Sequence, residues 1–382
     1  MAALGRFGKG SAAIALLMGI VFGSSTWIHL EIPQLTGRYT VGRQEVLWTD
    51  PLRPESRTGD PEDHRQTGLV VWYPAEPGTG VPASYLPDLE SIQAGLVESG
   101  ELGSLEVAGL RWIRTHSFED ATVSPSLERY PLLILTPGNA TNVEFYGSLA
   151  EDLASHGYVV VGLNHPYQVA AMSLTDGTVA VYDAADGGAA SVASKIDERV
   201  ADVGFVLDRL GQEIARGGFL DGRVDLSRIG VLGHSNGGLT AAETCRSFVQ
   251  VMACMNMDGQ AASGPFGTSR EASPVGRPFI YLTKETEIHP VITATFEESG
   301  TGTFRVVVPA ASHQEFADGP LFRPGVWPLG RNADRVQAVT RGFARAFFDQ
   351  FLADAPAGPL EIVEAPTDVY LYGYPLEVEQ PR

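Results

Sequence analysis

Short, wholly apolar runs alternate along this chain with longer stretches in which apolar residues recur every three to four positions. The runs are Gly68–Tyr73 (GLVVWY), Pro131–Leu135 (PLLIL), Tyr158–Leu163 (YVVVGL), Ile229–Leu232 (IGVL), Val251–Met257 (VMACMNM), Pro278–Leu282 (PFIYL) and Phe304–Val308 (FRVVV). Most are β-branched and hydrophobic on both faces, which predicts strands buried inside a parallel sheet. The helical period occupies Val143–His156, Ser194–Leu210, Asn236–Ser247 and Asn332–Phe351. Strands alternating with helices imply right-handed crossovers and an open sheet covered on both faces, an α/β fold. We expect one domain over residues 35–380.

Three stretches break the alternation. Thr49–His64 (TDPLRPESRTGDPEDH) is rich in Pro, Asp and Arg and reads as an irregular loop. Leu89–Leu127 offers a helical piece around Glu90–Val97. Pro166–Ala193 is glycine-rich, and its alternating TVAVYD predicts a hairpin. It follows the carboxyl end of a strand, where α/β sheets bind ligands, so it is expected to cover a pocket, together with Gly259–Arg277.

Composition narrows the functional classes. The 382 residues are 44% hydrophobic, which excludes a disordered chain. The net charge of −19, with no basic cluster beyond the first few residues, repels phosphate backbones and excludes nucleic acid as the expected partner. Cys245 and Cys254 are too few for a disulfide scaffold or a zinc site and read first as small buried apolar side chains. A single bridge between them stays open. At the start, Arg6 and Lys9 precede the uncharged Ala12–Gly23 and the small Ser24, Ser25 and Thr26. That pattern marks residues 1–28 as an export signal or, extended through Trp27 and Ile28, a signal anchor. The chain is therefore expected in the periplasm or outside the cell, with membrane association through this segment as the second option.

The chemistry centres on Gly233-His234-Ser235-Asn236-Gly237, a G-x-S-x-G turn between a strand and a helix. Such a turn lifts the serine hydroxyl above the sheet edge at a helix N-terminus, where a backbone N–H and the helix dipole face a developing oxyanion. A serine needs a base, and the base needs an orienting acid, in the chain order Ser, acid, His. Two histidines follow Ser235. His313 lies just past a predicted strand and is the better placed; His289 sits before a proline in an irregular stretch. For the acid, Asp258 ends one strand, while Glu285 and Glu287 end the next, and strand-end position leaves all three open. A second oxyanion donor is expected from Gly138-Asn139-Ala140, after the run Pro131–Leu135.

These segments together resemble the platelet-activating-factor acetylhydrolase family, particularly its bacterial members, over most of the chain after the leader. TGRYTVG and LVVWYPAE are similar to its opening strands. PLLILTPGNATNVEFYGSLAEDLASHGYVVVGLNHP is similar to its oxyanion segment and helix, and IGVLGHSNGG to its nucleophile turn. MNMDG and PAASHQEFADGPLF are the most specific. The resemblance implies an α/β-hydrolase with Ser235, Asp258 and His313 as catalytic residues and the N–H groups of Asn139 and Asn236 as oxyanion donors. It also implies carboxylic ester hydrolysis with no metal or cofactor, on short-acyl or phospholipid-type esters. Some relatives act on bulkier esters, polyesters among them. The chain departs from the family at Pro137-Gly138, where His-Gly is frequent, which bears on acyl preference. The same machinery also serves peptidases and amidases, and an idle triad on this scaffold would make a membrane-tethered binding protein.

Overall fold

Each apolar run predicted as a strand forms one. The structure, a computed structural model, describes residues 31–100, 102–184, 189–259, 274–284, 302–322, 332–353, 360, 366–374 and 380–381. The strands are β1 (Thr40–Pro54), β2 (His64–Ala75), β3 (Val81–Ser84), β4 (Arg114–Glu119), β5 (Tyr130–Thr136), β6 (Val159–Asn164), β7 (Ala171–Ser173), β8 (Val179–Val181), β9 (Val224–His234), β10 (Val251–Met257), β11 (Phe279–Thr283), β12 (Thr303–Val307), β13 (Tyr370–Tyr374) and β14 (Gln380–Pro381). The helices are α1 (Leu89–Glu98), α2 (Ser104–Leu110), α3 (Gly147–Ser155), α4 (Ala189–Ala215), α5 (Asn236–Ser247) and α6 (Ala333–Leu352).

Among the described residues, twelve strands form one sheet in the order β14-β13-β12-β11-β10-β9-β5-β6-β2-β1-β4-β3. From β12 to β6 every pairing is parallel, and β13 and β2 flank this block antiparallel. Successive residues on these strands serve opposite cores. Leu133 and Leu135 pack in one cluster with Leu149 and Leu153 of α3 and Phe343 and Phe347 of α6. Leu132 and Ile134 pack in the other with Val203 and Val206 of α4 and Ala241 of α5. This two-sided burial is why the runs carry no polar alternation. The arrangement is that of an α/β-hydrolase.

Two expectations need correction. The polar segment Thr49–His64 is not all loop: β1 continues through Pro54 and pairs Thr49 with Gln66 and Pro54 with His64. Its charges are matched in the fold, where Arg53 Nη2 donates to Asp202 at 2.6 Å and Arg65 Nη1 to Glu55 at 3.0 Å. Cys245 and Cys254 are not separate buried thiols but a disulfide joining α5 to β10, with Cα atoms 6.3 Å apart. The predicted hairpin is present as β7 and β8. Around the predicted helical piece α1, the stretch 89–127 also holds α2 and β4. The leader 1–28, most of Gly259–Arg277, Glu285, Glu287 and His289 lie outside the described residues.

Candidate active site

Ser235 follows β9 with φ 55° and ψ −123°, a strained positive-φ conformation for a non-glycine residue. The glycines around it let strand, helix and loop meet. A Cβ on Gly233 would lie 2.3 Å from the carbonyl oxygen of Gly237, and one on Gly238 2.1 Å from Oδ1 of Asn256. Thr136 Oγ1 donates to the Gly237 carbonyl at 3.0 Å, and Ser235 N–H to that of Met257 at 2.9 Å. The serine is thus held over the carboxyl ends of β5, β9 and β10, half-buried.

Asp258 follows β10 with φ 49° and is buried. Asn256 secures this turn, accepting from Gly259 N–H at 2.8 Å and donating back to its carbonyl at 2.9 Å. Asp258 Oδ2 accepts from His313 Nδ1 at 2.6 Å. Its other oxygen accepts from Thr283 Oγ1 at 3.1 Å, and Lys284 Nζ stands 3.3 Å from Oδ2. Burial alone would raise this carboxyl, but the His313 hydrogen bond and the charges of His313 and Lys284 outweigh it and hold Asp258 below the ordinary carboxylate range.

His313 opens a short 3-10 turn, His313–Phe316, after β12. Glu315 fixes that turn, accepting from Ser312 N–H at 2.7 Å and Asn332 N–H at 2.9 Å, so the start of α6 sets the histidine's place. The imidazoles of His313 and His234 lie 4.5 Å apart, which brings His313 against the residue preceding Ser235. Burial and the neighbouring His313 push His234 down to about 3, so this second imidazole is neutral.

The loop after β5 closes the site. A Cβ on Gly138 would meet Tyr146 Oη at 3.1 Å and Ser235 Cβ at 3.6 Å, so the loop abuts the serine. Gly138 N–H donates to Tyr146 Oη at 2.9 Å, and Tyr146 Oη pairs with His234 Nδ1 at 2.8 Å. Tyr146 Oη thus links the Gly138 N–H of the loop to the His234 imidazole beside Ser235. Ala140 N–H donates to the Gln168 carbonyl at 2.8 Å. Among the described residues no acceptor holds the N–H of Asn139, and Asn236, first in α5, has no intrahelical acceptor for its own. The side chain of Asn139 donates to Tyr182 Oη at 2.5 Å, tying the loop to the end of the β7–β8 hairpin.

The five residues singled out from sequence thus gather on neighbouring strand ends and loops: Ser235 and Asn236 on the elbow, Asp258 and His313 in contact, Asn139 on the facing loop. Tyr146, Lys284 and the second histidine's role were missed. Tyr146 and Lys284 carry no motif and His234 fills only a variable position of the serine turn; each acts through partners far along the chain. Asp318 lies in the family-like segment PAASHQEFADGPLF. It is buried, with both carboxyl oxygens bound by Ser148 and one by Tyr85, and burial pushes it up to about 7.

Known proteins give an independent view. The family described as "Platelet-activating factor acetylhydrolase, isoform II" matches residues 24–184. A protein of Arthroderma benhamiae named "Probable 1-alkyl-2-acetylglycerophosphocholine esterase" is 28% identical over 135 residues, 34% of this chain. The match spans about a third of that relative's length, 31%. A solved ferulic acid esterase from Streptomyces cinnamoneus superposes with a TM-score of 0.72 at 28% identity, over 89% of this chain and 98% of its own. The resemblance read from the motifs is borne out, and the fold matches that of an esterase.

Proposed function

We propose that this chain is a serine carboxylic ester hydrolase working through an acyl-enzyme. One observation carries the reading: Asp258 Oδ2 meets His313 Nδ1 at 2.6 Å, while Ser235 stands on a positive-φ turn at the end of the adjoining strand. An Asp258 carboxylate that accepts the Nδ1 proton leaves Nε2 of His313 as the base. Ser235 Oγ attacks the ester carbonyl carbon and gives its proton to that nitrogen. The N–H groups of Asn139 and Asn236 donate to the oxyanion. As the C–O bond breaks, the alcohol leaves with the proton from His313, and the acyl group stays on Ser235. Water, deprotonated by His313, then attacks the acyl-enzyme, and His313 returns that proton to Ser235 Oγ as the C–Oγ bond breaks and the acid is released. Asp258, held below its ordinary range, favours the imidazolium formed in both steps.

The family match supports short-acyl or phospholipid-type esters as substrates. A second class, esters of aromatic acids such as ferulate, is favoured by the near full-length likeness to the ferulic acid esterase. The disulfide supports export, with residues 1–28 as the signal, because such bridges persist in oxidising compartments.

The test is hydrolysis of p-nitrophenyl esters from acetyl to dodecanoyl, and of methyl ferulate, by the protein without its leader, beside Ser235→Ala. Turnover is expected to fall by several orders of magnitude in the variant, and a fluorophosphonate to label Ser235 alone. Equal rates for the two proteins would refute the assignment.

A further inference from the structure

Arg199, on α4, is among the largest fully buried side chains of the fold, at 0% exposure. Among the described residues no carboxylate pairs with it. Its partners are neutral oxygens: Nη1 donates to the Pro137 carbonyl at 2.6 Å, Nη2 reaches the Gly138 carbonyl at 3.5 Å, and Nε donates to Gln168 Oε1 at 2.7 Å. Burial lowers it to about 10, so it stays cationic at neutral pH. The ionised, buried Asp202 of the same helix acts on this guanidinium through space but makes no ion pair with it. A cation sealed from water with only neutral oxygens in contact is costly, and its place calls for a reason beyond packing.

That reason lies in the two peptides it holds. The peptide between Pro137 and Gly138 has its carbonyl on Arg199 and its N–H on Tyr146. The next has its carbonyl toward Arg199, and its N–H is that of Asn139. In a planar trans peptide the C=O and N–H point opposite ways, so a carbonyl drawn toward the buried cation turns the N–H away from it. Gln168 completes the clamp, with its side chain on Arg199 and its carbonyl on Ala140 N–H at 2.8 Å.

We infer that Arg199 is a positioning residue for the oxyanion hole: its guanidinium draws the Pro137 and Gly138 carbonyls to one side of the loop, so that the Asn139 N–H faces the reacting carbonyl. A cation on the carbonyl end of that peptide also withdraws electrons from its N–H and strengthens it as a donor, and it adds a fixed positive charge close to the developing oxyanion. The inference rests on the esterase reading above.

The experiment compares wild type, Arg199→Lys and Arg199→Met in the same full chain. It measures kcat and KM on p-nitrophenyl acetate, affinity for an alkyl boronic acid that forms an anionic tetrahedral adduct on Ser235, and the urea midpoint. We expect kcat to fall on the order of 100-fold in Arg199→Met with KM within about twofold, as when an oxyanion donor is lost. Boronate affinity should fall in step with kcat/KM. Arg199→Lys, which keeps the charge but not the fork, should lie between, and it decides the matter if the methionine variant does not fold. Variants that keep kcat and boronate affinity within about threefold of wild type, or lose only stability and KM, overturn the inference and leave the esterase reading intact. A wild-type protein with no Ser235-dependent hydrolysis would end both.

Discussion

Gly237→Ala tests the junction between the serine turn and the facing loop. A Cβ at this position would lie 2.1 Å from the Thr136 carbonyl oxygen and 2.6 Å from that of Pro137. Both are backbone atoms, which no rotamer change can move. Restoring ordinary contact requires the helix start and the loop to part by more than an ångström. The serine turn and Asn139 are separated by this same junction, so the displacement falls on the distance between nucleophile and oxyanion donor. A misplacement of about 1 Å costs on the order of 100-fold in rate, and overpacking of this kind costs roughly 1–3 kcal/mol in stability. The assay is kcat on p-nitrophenyl acetate with a urea titration alongside. Gly109→Ala is the control: its Cβ meets nothing within 4 Å, and an alanine in α2 should be neutral or stabilise by up to about 1 kcal/mol. If Gly237→Ala keeps kcat within threefold and the same urea midpoint, the loop is not held by this contact and the hole is not built as described.

Other outcomes follow from the same geometry. Asp258→Asn should lower kcat on the order of 10⁴-fold by offering His313 the wrong tautomeric partner, and far more than Glu285→Gln; the reverse order in steady-state kinetics would move the acid. Replacing Cys245 and Cys254 by serine should cost about 2–3 kcal/mol in urea unfolding, since the bridge closes a loop of separation 9; an unchanged midpoint would deny the bridge any stabilising role. Asp318 is pushed up to about 7 by burial, above its ordinary value near 4, so its contribution to stability is full at low pH and lost as pH rises through 7. Asp318→Asn should therefore gain on wild type by a few kcal/mol between pH 5 and pH 8, read from paired urea midpoints; a constant difference would show that the carboxyl does not titrate there.

Much of the scaffold was legible because its strands are buried on both faces. Val159–Asn164 and Tyr130–Thr136 have no solvent side to advertise, so their hydrophobicity is continuous and their boundaries follow the run. The serine turn was equally local, since Gly233, Ser235 and Gly237 lie within one tight bend whose clearances admit nothing larger at the glycines. Position at strand ends left Asp258, Glu285 and Glu287 open, and only resemblance to known segments chose among them before the contact with His313 was seen.

What the sequence determined by itself, then, was the set of elements whose causes are short-range: side-chain period, the strand-to-helix bend, and the order serine, acid, histidine. Tertiary structure decided everything that depends on who meets whom. It bridged Cys245 to Cys254 across a helix and a strand, and turned the polar end of β1 into paired strand by matching Arg53 with Asp202. It also set Tyr146 between Gly138 and His234 and brought Arg199 under a loop about sixty residues away in the chain. The physical reason is the same in each case. A buried charge or hydroxyl is tolerable only beside a partner, and that partner's place is fixed by the sheet register and the helix packing, which no local stretch of sequence encodes.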